Sequence, residues 1–241
     1  MRRFASLAAT YLAAVVVAAS SSARADGLFY KLPEDGTSAR FDLDLSGGPT
    51  GTEMKSTGTL TMSSVGRVTE NDEKCRWIEF KLVLKNQQDQ ERTIISKVLI
   101  PEKHLAKGKS PADHLVRGWL KREMGEVQEL NDLKNPNAGP LPAFLSGPLK
   151  DAKDLEAIEI DSILGKLACA GQTGRNESEQ GAIMAVAEFE NRLHEKAPFG
   201  VVASKIRFEA KRDGQVQEVV TVSLTLAEVG TTALSEIPDR N

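Results

Sequence analysis

The residues best suited to chemistry are few, and each group falls short of a complete site. Gly108-Lys109-Ser110 looks like the end of a phosphate-binding loop, following a β-branched run and opening an apolar segment. That loop needs its first glycine five residues before the second, and position 103 is Lys103. The spacing fails, so no nucleotide site is expected. The histidines are His104, His114 and His194. Zinc needs three or four converging ligands, commonly two of them on one helix or hairpin. No H-E-x-x-H occurs, and His104 and His114 stand apart across a turn, so they read as surface residues with no metal or cofactor to hold. Serine hydrolase chemistry lacks its G-x-S-x-G elbow, and C-x-x-C is absent.

Two cysteines remain, Cys75 and Cys169. In an oxidising compartment the expectation is one disulfide between them, against the alternative of two separate buried thiols. Closing a loop of about 95 residues would contribute about 4–5 kcal/mol in the chain-entropy model. Acids cluster at Glu70, Asp72 and Glu73, and again at Glu156, Glu159 and Asp161. Paired carboxylates cleave glycosides only at set separations in a cleft. Such clefts are usually lined with aromatics, which are 5% of this chain. The acids therefore read as a solvated surface.

What positions these residues begins with the N-terminus. Arg2 and Arg3 precede an uncharged apolar run from about Leu7 to Ala19, and Ala23-Arg24-Ala25 forms an A-x-A cleavage site. This is a secretory signal peptide over residues 1–25, cut between Ala25 and Asp26. The apolar run is shorter than the roughly 20 residues a membrane span requires. Its removal takes away Arg2, Arg3 and Arg24 and no acid, moving the net charge from −3 to −6. A mildly acidic surface argues against nucleic acid as a partner. Residues 26–241 are expected to form one soluble domain, exported to the periplasm or beyond, with no transmembrane segment.

Within that domain the dominant period is two. Phe41, Leu43 and Leu45 alternate with Asp42 and Asp44, and Leu60 and Met62 with threonines. The run Cys75–Leu84 puts Ile78, Phe80, Leu82 and Leu84 on one face, with Cys75, Trp77, Glu79 and Lys81 on the other. Residues 93–100 should return against it as a hairpin. Val202 to Phe208, the Asp213-Gly214 turn and Val220 to Leu226 form a second hairpin. Residues 182–193 are ambiguous between strand and helix, and alternation favours strand.

One helix is expected from Ser110 to about Gly125, with Pro111 at its first position and Leu115, Val116, Trp119 and Leu120 along one face. Pro136, Pro140, Pro142 and Pro148 make an irregular crossing loop near 131–150. The expected class is α+β: a large curved antiparallel sheet with one main helix on one face.

Ala197-Pro198-Phe199-Gly200-Val201-Val202, followed by strand, Asp-Gly turn and strand, resembles the closing strands of periplasmic half-barrel proteins of the LolA/LolB-like superfamily. Tyr30 to Thr37 and Cys75-Arg76-Trp77-Ile78-Glu79 are similar to stretches of secreted bacterial proteins of no known role. The resemblance implies a half-barrel whose curved sheet wraps helices and holds an acyl chain. The functional expectation is a non-enzymatic module with an apolar ligand or an envelope protein on the concave sheet face. The alternative is a secreted hydrolase with a dispersed carboxylate or Cys/His site.

Overall fold

In the computed structural model of the protein, residues 27–50, 54–85, 88–105, 108–123, 125–130, 144–145, 147–180 and 183–238 are described, with backbone alone for 178–180. The expected signal peptide, the expected Ala25/Asp26 cleavage site and most of the expected crossing loop lie outside the described residues.

The alternating sequence folds into one sheet of eleven strands. The first six are β1 (Ser38–Pro49), β2 (Met54–Glu70), β3 (Glu73–Lys85), β4 (Glu91–Pro101), β5 (Arg117–Arg122) and β6 (Gln128–Glu129). The rest are β7 (Lys150–Ser162), β8 (Gly165–Gln180), β9 (Ile183–Leu193), β10 (Val201–Arg212) and β11 (Gln215–Gly230). Their order is β6-β5-β4-β3-β2-β1-β11-β10-β9-β8-β7. The chain thus makes two meanders. One runs outward from the centre, the other inward from the far edge, and β1 pairs with β11 between them.

Both expected hairpins are present. Cys75 pairs with Pro101 and Lys85 with Glu91 across β3 and β4. Asp213 and Gly214 join β10 to β11 with φ of 52° and 78°, the two positive values a tight hairpin turn needs. Residues 183–193 are strand.

The α+β expectation is corrected. Among the described residues no α-helix packs on the sheet, and the helical elements are 3₁₀ turns at Glu102–His104 and Pro111–His114. The expected helix over 110–125 is instead a 3₁₀ turn followed by β5. The cause is double burial. Trp119 packs on Trp77 on one face of β5, and Leu120 enters the main apolar cluster on the other. A strand buried on both faces places apolar residues side by side, a pattern that periodicity alone does not separate from a helix.

Without a helix, the apolar inner face is covered by the chain's own irregular segments. Leu28 and Phe29, then Phe144, Leu145 and Leu149, are buried in its cluster. Phe29 packs edge-on against Phe80 of β3, at 5.9 Å between ring centroids, and against Phe199 before β10, at 5.4 Å. In a flat sheet β3 and β10 would stand four inter-strand spacings apart, about 19 Å. The sheet is therefore rolled around these plugs. Ala112, just before β5, donates its N–H to Leu145 O at 3.2 Å, and Leu28 donates to Phe144 O at 3.3 Å.

Glycines permit the roll. A Cβ on Gly58 would lie 2.0 Å from the Val83 carbonyl oxygen, and one on Gly47 2.1 Å from that of Val219. A glycine inside a strand marks such close backbone approach. Gly58→Ala must push two strands apart, and is expected to lower stability by about 2–3 kcal/mol, read from urea unfolding. An unchanged midpoint would mean that the sheet does not roll at this point.

Candidate binding site

Directly opposed residues of antiparallel strands share a face, so the register resolves the inner face into rows. One row is Leu60, Phe41 and Leu226; the next is Gly58, Leu43, Leu224, Ser204, Asn191 and Gln172. A third holds Leu45, Val222, Ile206 and Phe189. The outermost is Met54, Gly47, Val220, Phe208, Ala187 and Asn176.

Burial fades along this series. Phe41, Leu60 and Leu226 are buried, as are Val222, Ile206 and Phe189, and Leu45 is half-buried. In the outermost row Val220, Phe208 and Ala187 are only half-buried, and Met54 is 46% exposed. Leu84 and Ile94, half-buried, continue the apolar margin on β3 and β4. The inner face therefore opens at the end carrying the Asp213-Gly214 turn, and its mouth is floored by apolar side chains. The opposite end is plugged by residues 27–33 and by Phe199.

Among the described residues the expected concave face is thus mostly filled by the protein itself, and its row at the mouth is left partly exposed. The alternation that names Phe208 and Val220 is legible in the sequence. Where burial fades along it is not, since that depends on which segments fold back as plugs.

The residues singled out for chemistry are scattered. Cys75 and Cys169 are both free and buried, Cys75 in the outer cluster with Trp77 and Trp119, Cys169 in the main cluster. The expected Cys75–Cys169 disulfide is not formed, because the two side chains sit in separate apolar clusters. Burial raises the pKa of both thiols above the ordinary value, and for Cys75 a hydrogen bond with the Glu70 main chain offsets part of the rise while the Glu73 charge adds to it. Such thiols are poor nucleophiles. Cys75 borders an open depression of about 300 Å³ with Arg67, Lys74 and Glu102.

The Gly108-Lys109-Ser110 triplet opens only the four-residue turn at Pro111–His114, and the Ser110 hydroxyl donates to Asp113 Oδ2 at 2.6 Å. His104 and His114 come together, their rings stacked at 3.4 Å between centroids. The described residues contain no group of three or more metal-type ligands. Burial first, and then His114, lowers the His104 pKa.

The acids are paired rather than convergent. Glu70 accepts from Arg117 at 2.6 Å, Glu73 pairs with Lys103, and Glu159 with Lys166 at 3.1 Å. An open depression of about 450 Å³ over β7 to β10 carries Arg175, Glu188, Arg207 and Glu190. Its charges also bridge one another, with Arg207 3.4 Å from Glu188 and Arg175 2.9 Å from Asp151.

No family model matches the chain, and no curated protein matches it. Among solved structures it is similar to a β-barrel-like protein of the domain of unknown function DUF1849 from Brucella abortus. The identity is 9% and the TM-score 0.26, over 84% of this chain and 98% of that one. The LolA/LolB-like resemblance rests on the few residues that suggested it.

Two measurements check this placement. Alkylation in denaturant without reductant should label both cysteines, whereas a protected pair would restore the disulfide. A histidine with a lowered pKa binds its proton more readily when unfolded, so its stability contribution is present above the usual imidazole pKa and lost as pH falls. Melting temperature should therefore drop as pH falls through about 6.5. His104→Gln should flatten that part of the drop, and an identical pH profile in the variant would contradict the part that the half-buried His104 plays in it.

Proposed function

We propose that this chain is an exported, non-enzymatic binding module that takes an apolar ligand into the mouth of its inner sheet face. The reading rests on one observation: Met54, Val220, Phe208 and Ala187 form a contiguous apolar row left partly open to solvent at the end of an otherwise filled face. Contiguous exposed apolar surface beside a packed core marks binding sites more often than scattered apolar residues do. Polar margins suit a ligand with a hydrated head. Glu218 and Ala210 form the next step outward on β11 and β10, and Arg212 lies beyond them. An acyl chain laid along the row would keep its head at this margin. Export rests on the charged start, apolar run and A-x-A ending of residues 1–25.

Dansyl-undecanoate, an acyl chain with an environment-sensitive fluorophore, tests the reading. The wild-type protein should bind it saturably, and Phe208→Glu should weaken binding about tenfold or more, because a charge then stands in the apolar row. Far-UV circular dichroism establishes that the variant is folded. Native mass spectrometry of exported protein should show a chain beginning at Asp26 with a co-purifying apolar adduct. Absence of dye binding by the wild type, or equal binding by folded Phe208→Glu protein, would sink the proposal.

A further inference from the structure

The outer face of β3, β4 and β5 carries a second arrangement, separate from the mouth. Trp77 and Trp119 stack at 4.8 Å between centroids, with the Lys97 ammonium 5.0 Å from the Trp77 ring centre. Glu79 and Lys97 sit at paired positions on β3 and β4, and both are buried, at 4% and 1% exposure. Into this slot the chain folds its own C-terminal segment. Ile237 is fully buried beside the tryptophans.

The contacts are mainly to main chain. The Glu79 carboxylate accepts the N–H of Glu236 at 3.1 Å and that of Ile237 at 3.4 Å, together with the Ser235 hydroxyl at 2.7 Å. Lys97 donates to the Ile237 carbonyl at 3.0 Å. Lys81 pairs with the Glu236 side chain at 2.8 Å.

A charged pair that reads backbone donors and acceptors, beside one apolar pocket, is the chemistry of peptide recognition. We infer that the Trp77–Trp119 slot is a peptide-docking site whose ligand is the Ser235–Ile237 segment, and that a second copy of the chain can supply that segment.

Three features favour exchange. Residues 231–234 between β11 and the docked segment are largely exposed, and Leu234 is 86% exposed. The described main-chain bond holding that stretch is Ala233 N–H to Gly36 O, 2.8 Å. When the segment leaves, Glu79 and Lys97 remain as opposite charges at paired positions of adjacent strands, the arrangement that favours a cross-strand pair. Every copy carries the same segment and the same slot, the condition for swapping an identical element between protomers.

The chain's two tryptophans are Trp77 and Trp119, so intrinsic fluorescence reports on this slot. In the full chain Ile237→Asp should release the segment and shift the emission to the red. A synthetic peptide of residues 231–241 should then return the emission saturably, and the same peptide with aspartate in place of Ile237 should not. An equimolar mixture of Ile237→Asp protein (empty slot, inactive segment) with Glu79→Gln protein (intact segment, weakened slot) should sediment as a heterodimer, each being monomeric alone. If Ile237→Asp does not fold, Glu236→Pro at an exposed position removes one of the N–H groups that Glu79 accepts and takes its place. A peptide without effect on folded protein overturns the docking site. Peptide binding without a heterodimer overturns the exchange between copies.

Discussion

An eleven-stranded antiparallel sheet with one apolar face and, among the described residues, no helix to lay against it must cover that face with what the chain has left. This constraint governs the rest of the structure. The face carries Phe41, Leu43, Leu60, Phe80, Leu82, Phe189, Ile206 and Leu224, all buried. Covering a side chain of that size contributes about 1.5–3 kcal/mol, so leaving the row open would forfeit much of a domain's stability. The sheet rolls, its glycines at 47 and 58 allow the bend, and residues 27–33, Phe144, Leu145, Leu149 and Phe199 fill the interior. The exposed edges need separate handling. β6 is two residues long, while β7 is broken by irregular register and dense with Lys150, Lys153, Asp154, Glu156 and Glu159. Charge and bulges both discourage edge-to-edge association.

Irregular segments that cover a sheet bring unpaired backbone groups with them, and these must find partners. The solution is the same at three places. Asn191, fully buried on β9, donates to Gly27 O at 3.0 Å while accepting from Ser204 at 2.6 Å. Arg76, buried on β3, donates to Pro33 O at 2.7 Å and pairs with Glu102 at 2.6 Å. The plug over residues 27–33 is thus held at both ends by strand side chains. Glu79 and Lys97 hold the C-terminal segment on the outer face in the same manner. A buried polar group left without its partner costs about 1–3 kcal/mol. Each anchor therefore fixes where its segment docks more firmly than apolar packing alone would.

The strands and hairpins were legible because alternation and turn chemistry are local. Asp42 and Asp44 between Phe41, Leu43 and Leu45 carry their own orientation, and Asp213-Gly214 carries its turn. What misled was burial from outside the local stretch. Trp119 and Leu120 look helical only because the C-terminal segment and Trp77 bury one face of β5 while the main cluster buries the other. Glu79 falls on the face that alternation marks as wet, and it is dry because residues 235–237 arrive from far along the chain. The cysteines misled for a different reason. An even count in an exported chain favours a disulfide, but pairing is set by which face and which cluster each residue occupies, and Cys75 and Cys169 occupy different ones. At the mouth the composition of the row was readable, while its exposure depended on how far the plugs reach.

The two surfaces proposed to bind differ in what their occupants must replace. At the slot, the resident segment already satisfies Glu79 and Lys97, so a competitor must offer the same N–H and carbonyl pattern as well as an apolar anchor. Selectivity there comes from hydrogen-bond geometry. At the mouth the row is apolar over Val220, Phe208 and Ala187, with Asn176 at its β8 end, and those three side chains are half covered to begin with. An occupant there gains by removing apolar area from water, a force that is non-directional and roughly proportional to area. Such a site selects for length and shape, which suits an extended apolar chain. The same rolled sheet thus presents a discriminating site where strand side chains reach main chain, and a permissive one where its own cover stops short.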